Sequence, residues 1–367
     1  MKDLRITKKT GRDWCKNNFI NLQFFPDVML AAYTELRNAQ KVKEFLAKRG
    51  LQHPDYLPVK ELNHIYFPVT KKISLPNAKI VNTRFPFPER QKQLTAEEFL
   101  RGKLSTKELE LLPRTQEVVG NILILEIPDE LRAKEKIIAE AYLKANRHLS
   151  TVVKKSDIHA GQFRTRKVTI LAGKKTKETV HHENGIEIKL HLEKTYFSAR
   201  SGSERLRIAK MVKPGEEVMV MFSGAAPYPL VIAKNSEAKH VYGIELNPLA
   251  HNFALENVQL NSLQDRITIL HGDVRHKIPS IKKKFGRIVM PLPKTGEQFL
   301  DLALLKIKKK GMIHLYAFLE EKNFNAYAQK VKGICNLLGY KVKIMRKIKC
   351  GQFSPGTFRV CFDIKMI

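Results

Sequence analysis

Residues 217–260, EVMVMFSGAAPYPLVIAKNSEAKHVYGIELNPLAHNFALENVQL, decide the fold class. Glu217 to Phe222 is an apolar run of strand composition, and His240 to Glu245 is a second. The turn between them carries Gly224 beside Ala225 and Ala226, so the backbone there can approach a ligand closely. Asn247 and Pro248 read as the N-cap and first residue of a helix that runs to Leu260. Further strand candidates at Arg266 to Leu270, Arg287 to Met290, Met312 to Phe318 and Lys341 to Lys347 alternate with helical patterns. This alternation predicts an α/β fold with a doubly wound, mostly parallel sheet.

In such sheets ligands bind outside the carboxyl ends of the strands. Gly224 alone is weak evidence, since a glycine in a turn is more often only a turn. Glu245, at the end of the second strand, can accept hydrogen bonds from ribose hydroxyls, and Asp273, after ITILHG, from an adenine amino group. No GxGxxG is present to cradle a pyrophosphate. The three features together point to S-adenosylmethionine. The candidate cofactor-binding residues are Glu245 and Asp273 with Phe222, Gly224, Leu246, Val274 and, after the fourth strand, Pro291.

Upstream, two smaller α/β domains are expected: 1–90 behind a basic arm and 91–195, followed by the sheet domain at 196–367. In the first, Ala39 to Arg49 has helical spacing with Val42, Phe45 and Leu46 on one face and Gly50 as the stop, and His64 to Val69 has strand composition. In the second, strands are expected at Asn121 to Ile127, Lys167 to Leu171 and Ile186 to Leu192, with a helix from Leu131 to Ala145 whose apolar positions are Ile137, Ile138 and Ala141. Between Lys144 and Lys177 stand ten Lys/Arg and one acid, Asp157. The whole chain has a formal net charge of +30, and a compact protein with that excess repels itself unless an anion partners it. A nucleic-acid surface containing Lys154, Lys155, Arg166, Lys174 and Lys175 accounts for it better than a merely solvated face.

The segments TYFSARSGSERLRIAKMVKPGEEV, MFSGAAPYPLVIAK, VYGIELNPLAHNFALENVQLN, HGDV, IVMPLPKTGEQFLDLA, GMIHLYAFLEE and SPGTFRVCFD resemble the archaeal and eukaryotic class of tRNA (guanine(37)-N1)-methyltransferases. LPRTQEVVGNILILEIPDEL and GQFRTRKVTILAGKKTKETVHHENGIEIKL are similar to that family's middle, RNA-contacting domain. The resemblance implies a C-terminal class I (Rossmann-like) methyltransferase domain that methylates N1 of the guanine 3′ of the anticodon. It implies Glu204 as the general base that takes the N1 proton, Arg205 and Arg200 as residues that order the site and hold RNA, and Arg164 of the GQFRTRK segment at the target base, near O6. Without the resemblance, SGSERLR also reads as a helix N-terminus with Ser203 as N-cap, Glu204 in the first turn and Arg207 exposed. The chain departs from the family pattern at Val220, where an Asp is common, at GAAP in place of GVGP, and at Pro291, where an Asn is expected. Two other outcomes belong to the same resemblance: aminocarboxypropyl transfer or methylation in wyosine synthesis, and a tRNA-binding protein with a decayed site.

Of 367 residues, 43% are hydrophobic, which excludes a disordered chain. No apolar run approaches the ~18 residues of a membrane span, and MKDLRITKKTGRDW lacks the apolar stretch of a secretory signal, so none is expected. Cys15, Cys335, Cys350 and Cys361 form no CxxC pair, so no zinc ribbon is expected and the expected location is the cytoplasm. A monomer is expected; Mg2+ is the one metal left open.

Overall fold

The computed structural model describes residues 28–90, 94–113, 116–156 and 165–367. Contacts divide the chain into two compact units, 1–93 and 94–367, and the expected boundary near 195 lies inside the second. In the first unit, Met29–Glu35 lies between His64–Pro68 and Lys79–Thr83 in a four-stranded antiparallel sheet, with Val59–Glu61 at its edge. The expected helix spans Ala39–Lys48, buries Val42 and Leu46 against Ala32 and Phe67, and ends before Gly50, whose φ of 62° a side chain would strain.

The second unit begins with a mixed sheet in the order Glu117–Val119, Ile122–Leu125, Thr151–Lys155, Val168–Gly173. The helix expected from Leu131 divides into a 3-10 segment, Asp129–Lys134, and an α-helix, Glu135–Ala145. Ile138 and Ala141 enter its core, but Ile137 faces outward. A hairpin follows, Glu178–Glu183 and Ile186–His191, turned by Asn184 and Gly185, both with positive φ as a tight hairpin turn requires.

The large sheet has seven strands: β1 (Glu217–Met221), β2 (His240–Glu245), β3 (Ile267–His271), β4 (Phe285–Met290), β5 (Ile307–Glu320), β6 (Val342–Ser354) and β7 (Thr357–Met366). Their order is β3-β2-β1-β4-β5-β7-β6. The first five are parallel; β7 pairs antiparallel with both β5 and β6. The helices are α1 (Gly202–Lys210), α2 (Pro227–Asn235), α3 (Pro248–Leu260), α4 (Val274–Ser280), α5 (Leu300–Lys306) and α6 (Phe324–Leu337). Along β1 the side chains alternate between two cores: Val218 and Val220 pack under α1, α2 and α3, and Met219 and Met221 under α4, α5 and α6. Val220 is fully buried there, so the position that departs from the family pattern is filled as core.

The hairpin docks on α3 by a polar device. Asn257 accepts the Lys189 amide at 2.7 Å and donates to the Lys189 carbonyl at 2.9 Å, while Asn261, one turn on, does the same for Glu187 at 2.9 and 2.7 Å. The edge strand thus pairs with two side-chain amides as it would with a strand. Among the described residues no helix is long and apolar enough to cross a membrane.

Candidate active site

A cavity of about 290 Å³ opens at the carboxyl ends of β1, β2, β3 and β4. Phe222 and Gly224 reach it from the β1 turn, Glu245 and Leu246 from β2, Asp273 and Val274 from β3, and Pro291 after β4, so all seven candidate cofactor residues surround one space. The β1 turn is bent through positive φ at Phe222 (63°), Gly224 (58°) and Ala226 (66°). Gly243 on β2 is held to glycine by space: a Cβ there would lie 2.7 Å from Ile269 and 3.0 Å from Ser223.

Glu245 anchors the two turns together. Its Oε2 accepts the Gly224 amide at 2.6 Å and its Oε1 the Asn247 amide at 2.8 Å. Burial pushes its carboxyl above the usual range, opposed by those amides. Asn247 caps α3 by accepting from Leu249 at 3.0 Å, and donates to the Lys194 carbonyl at 2.8 Å. Asp273 caps α4 by accepting the Arg275 amide at 2.8 Å, and the Arg275 guanidinium lies 4.3 Å over Phe299, which meets Phe222 edge-on at 5.0 Å. Ser223 Oγ and Arg359 Nε, both from residues that line the cavity, are buried without a hydrogen-bond partner. Two carboxylates and an apolar wall, with the lining arginines Arg205, Arg275 and Arg359 already engaged by Glu183, the Phe299 ring and Ser201, fit S-adenosylmethionine better than a polyphosphate.

Glu204 lies beside this cavity but does not line it. It is 4% exposed, and its oxygens accept from Arg207 Nε at 2.7 Å, Arg207 Nη2 at 2.8 Å and the Tyr316 hydroxyl at 2.6 Å. Arg207 also donates to Asp363 at 2.9 and 3.2 Å. His314 Nδ1 meets Asp363 at 2.6 Å, and Arg287 Nη1 meets His314 Nε2 at 2.6 Å. A guanidinium can only donate, so Nε2 is the acceptor and the ring is neutral with its proton on Nδ1. Burial and the nearby Arg287 and Arg207 push the His314 pKa down, against the pull of Asp363. Burial alone would raise the Asp363 carboxyl, but hydrogen bonds from His314 and Arg207 outweigh it and hold it low. His314, Cys361 and Asp363 are the only group of three metal-type side chains among the described residues. They do not suit Mg2+, which seeks oxygen ligands, and their polar atoms are already engaged.

The other candidates separate. Arg205 lines the cavity, yet its guanidinium is paired with Glu183 and stacks 5.1 Å from the Phe197 ring centroid. Arg200 is exposed on the short turn before α1. Arg166, expected at RNA, is 5% exposed and donates to Glu117 at 2.8 and 3.2 Å; that pair ties the chain internally and leaves no fork for a phosphate. Lys154 pairs with Glu135 at 2.6 Å and Lys155 with Glu126 at 2.9 Å, whereas Lys174 and Lys175 are exposed. Arg164 lies outside the described residues. Ser203 is not the N-cap: α1 starts at Gly202, which turns Glu204 inward, and Arg207 is drawn in with it. Sequence reasoning missed Tyr316, whose only signal was its place in the quoted segment GMIHLYAFLEE.

Strand order, an antiparallel β7 inserted beside a parallel set, and a cavity at the switch point of the sheet define a class I, S-adenosylmethionine-dependent methyltransferase fold. Residues 179–343 match the TRM5/TYW2 methyltransferase domain and residues 96–176 the TYW2 N-terminal domain. The chain is 35% identical over 256 residues to the tRNA (guanine(37)-N(1))-methyltransferase Trm5b of Pyrococcus abyssi, covering 70% of this chain and 76% of that one. The crystal structure of that protein superposes with a TM-score of 0.68 over 92% of this chain and 99% of its own. A complex of aTrm5 with tRNALeu aligns at 27% identity and a TM-score of 0.65, covering 92% of this chain and all of that one. The tRNA(Phe) (4-demethylwyosine(37)-C(7)) aminocarboxypropyltransferase of Pyrococcus horikoshii is 33% identical, covering 73% of this chain and 95% of its own. The chain belongs to the TRM5/TYW2 methyltransferase-domain family of tRNA-modifying enzymes.

Proposed function

We propose that the chain methylates N1 of guanine 37, the base 3′ of the anticodon, in tRNA. The observation that carries this choice within the family is extent. By structural superposition the Trm5b structure pairs with 92% of this chain, whereas the TYW2 structure from Pyrococcus horikoshii, matched over 98% of its own length, pairs with only 74% of it. S-adenosylmethionine supplies the electrophilic methyl group. Glu245 and Asp273 would hold its ribose and adenine from the ends of β2 and β3.

The demanding step is loss of the N1 proton. Glu204 is the base in this account. Glu204 and Asp363 share the single guanidinium of Arg207, so a proton delivered to Glu204 leaves one carboxylate for one guanidinium. Arg164 would face the charge that grows on O6, where a fixed cation acts mainly in the transition state. Tyr196, Arg205 and Pro291 form part of the wall that a flipped guanine would meet. Nucleoside mass spectrometry of unmodified tRNA treated with the protein and cofactor tests the assignment: 1-methylguanosine supports it, and an aminocarboxypropyl product or no product overturns it.

A further inference from the structure

The proposed base is one hydrogen bond away from a side chain that lines the cavity. Glu204 does not line the cavity, and Tyr316 does. The Tyr316 hydroxyl donates to Glu204 Oε1 at 2.6 Å, a charge-assisted contact at the short end of O–H···O⁻ geometry. The ring is fixed: Tyr316 is 1% exposed on the rigid parallel strand β5, with the Tyr228 ring centroid 6.0 Å away. We propose that Tyr316 is a catalytic residue, a phenol relay that carries the guanine N1 proton to Glu204.

The inference rests on guanine N1 methylation with Glu204 as base, and it adds the route. The N1–H bond breaks as a new O–H bond forms on Tyr316. The former Tyr316 O–H bond breaks as an O–H bond forms on Glu204 Oε1. The electron pair left on N1 takes the methyl group, whose former bonding pair stays with the leaving sulfur. Tyr316 ends as it began, a neutral phenol, and Glu204 ends protonated.

Two features favour a concerted relay over a free phenolate. Burial, with Cys361, Tyr228, Glu204 and Cys350 around the hydroxyl, pushes the Tyr316 pKa well up, so a separate tyrosinate is disfavoured. Arg207 already occupies Glu204 with two hydrogen bonds, which fixes the carboxylate so that Oε1 faces the phenol.

The test is single-turnover methyl transfer to unmodified tRNA by wild type, Tyr316→Phe and Glu204→Gln, with affinities for cofactor and tRNA measured by calorimetry. The relay predicts that Tyr316→Phe slows chemistry about tenfold or more while both affinities stay within about twofold of wild type. It also predicts, for wild type in mixed H2O and D2O, a rate that bows downward with deuterium fraction, the mark of two protons in flight. A wild-type rate in Tyr316→Phe, or a linear deuterium dependence, overturns the relay, and the second readout holds even if the variant folds poorly. If Tyr316→Phe is unimpaired while Glu204→Gln is slow, the relay fails and the base assignment stands. If wild type yields no 1-methylguanosine, the functional proposal fails and takes the relay with it.

Discussion

The Glu245 carboxylate accepts the Gly224 amide at 2.6 Å, which joins the end of β2 to the turn after β1 across the floor of the cavity. A single side chain thereby shapes the turn, and its remaining lone pairs are those proposed to meet the cofactor ribose. Its structural reach is wider than that of Asp273, which caps its own helix.

Glu245→Ala and Asp273→Ala should each weaken S-adenosylmethionine binding by roughly 1 to 3 kcal/mol, the range for losing a hydrogen-bond acceptor in a polar contact. Glu245→Ala should in addition lower the melting temperature, because the Gly224 and Asn247 amides lose their partner. Calorimetric titration showing wild-type affinity in both variants would remove these residues from the cofactor site.

The network behind Glu204 makes a pH prediction. His314 and Asp363 both have folded pKa values below their ordinary ones. Such groups favour the folded state above their unfolded values, about 6.5 for His and about 3.9 for Asp, and that contribution is lost as pH falls through the folded values. In nitrogen-15 spectra His314 should therefore remain neutral with the proton on Nδ1 at pH 6. A normal imidazolium titration there would contradict the assignment. Asp363→Ala strips Arg207 and His314 of a buried partner and should destabilise the unit by about 3 to 5 kcal/mol, read as a lower melting temperature.

The central strands were legible because strands covered on both faces read as short apolar runs, as in VMVM and RIVM. The capped start of α3 was legible because Asn-Pro is a local signal that the structure uses locally. The last strand was not: TFRVCFDIKM alternates charge with apolar residues, and its burial comes from insertion between β5 and β6. β5 likewise begins at Ile307, through KKK, which reads as a loop. At the site, the residues after strand ends were predictable from topology. The distant partners of Glu204 and Arg207 were not, because Tyr316 and Asp363 lie more than a hundred residues away along the chain, at register positions no local pattern marks.

The basic surface divides into exposed lysines and lysines paired with carboxylates. Lys174→Ala with Lys175→Ala should weaken tRNA binding and flatten its salt dependence by about one unit of slope per lost contact. Lys154→Ala with Lys155→Ala should change it less, since those ammonium groups already sit on Glu135 and Glu126. Equal slopes for wild type and the Lys174/Lys175 variant would show that this face is only solvated.

Glu204→Gln should fold, because Arg207 keeps Asp363 as its counter-charge. If Glu204 is the base, single-turnover methylation should fall roughly a hundredfold or more with cofactor and tRNA affinities kept. A purely structural role would instead lower the melting temperature and leave the chemical step intact.

The most direct measurement is site mapping of the product. Unmodified tRNA with guanine at position 37 is incubated with the protein and methyl-deuterated S-adenosylmethionine, digested, and sequenced by mass spectrometry, beside a transcript carrying adenine at that position. The account predicts one labelled methyl on N1 of guanine 37 and none on the adenine transcript; an aminocarboxypropyl group, a methyl at another nucleotide, or an unmodified guanine 37 would contradict it.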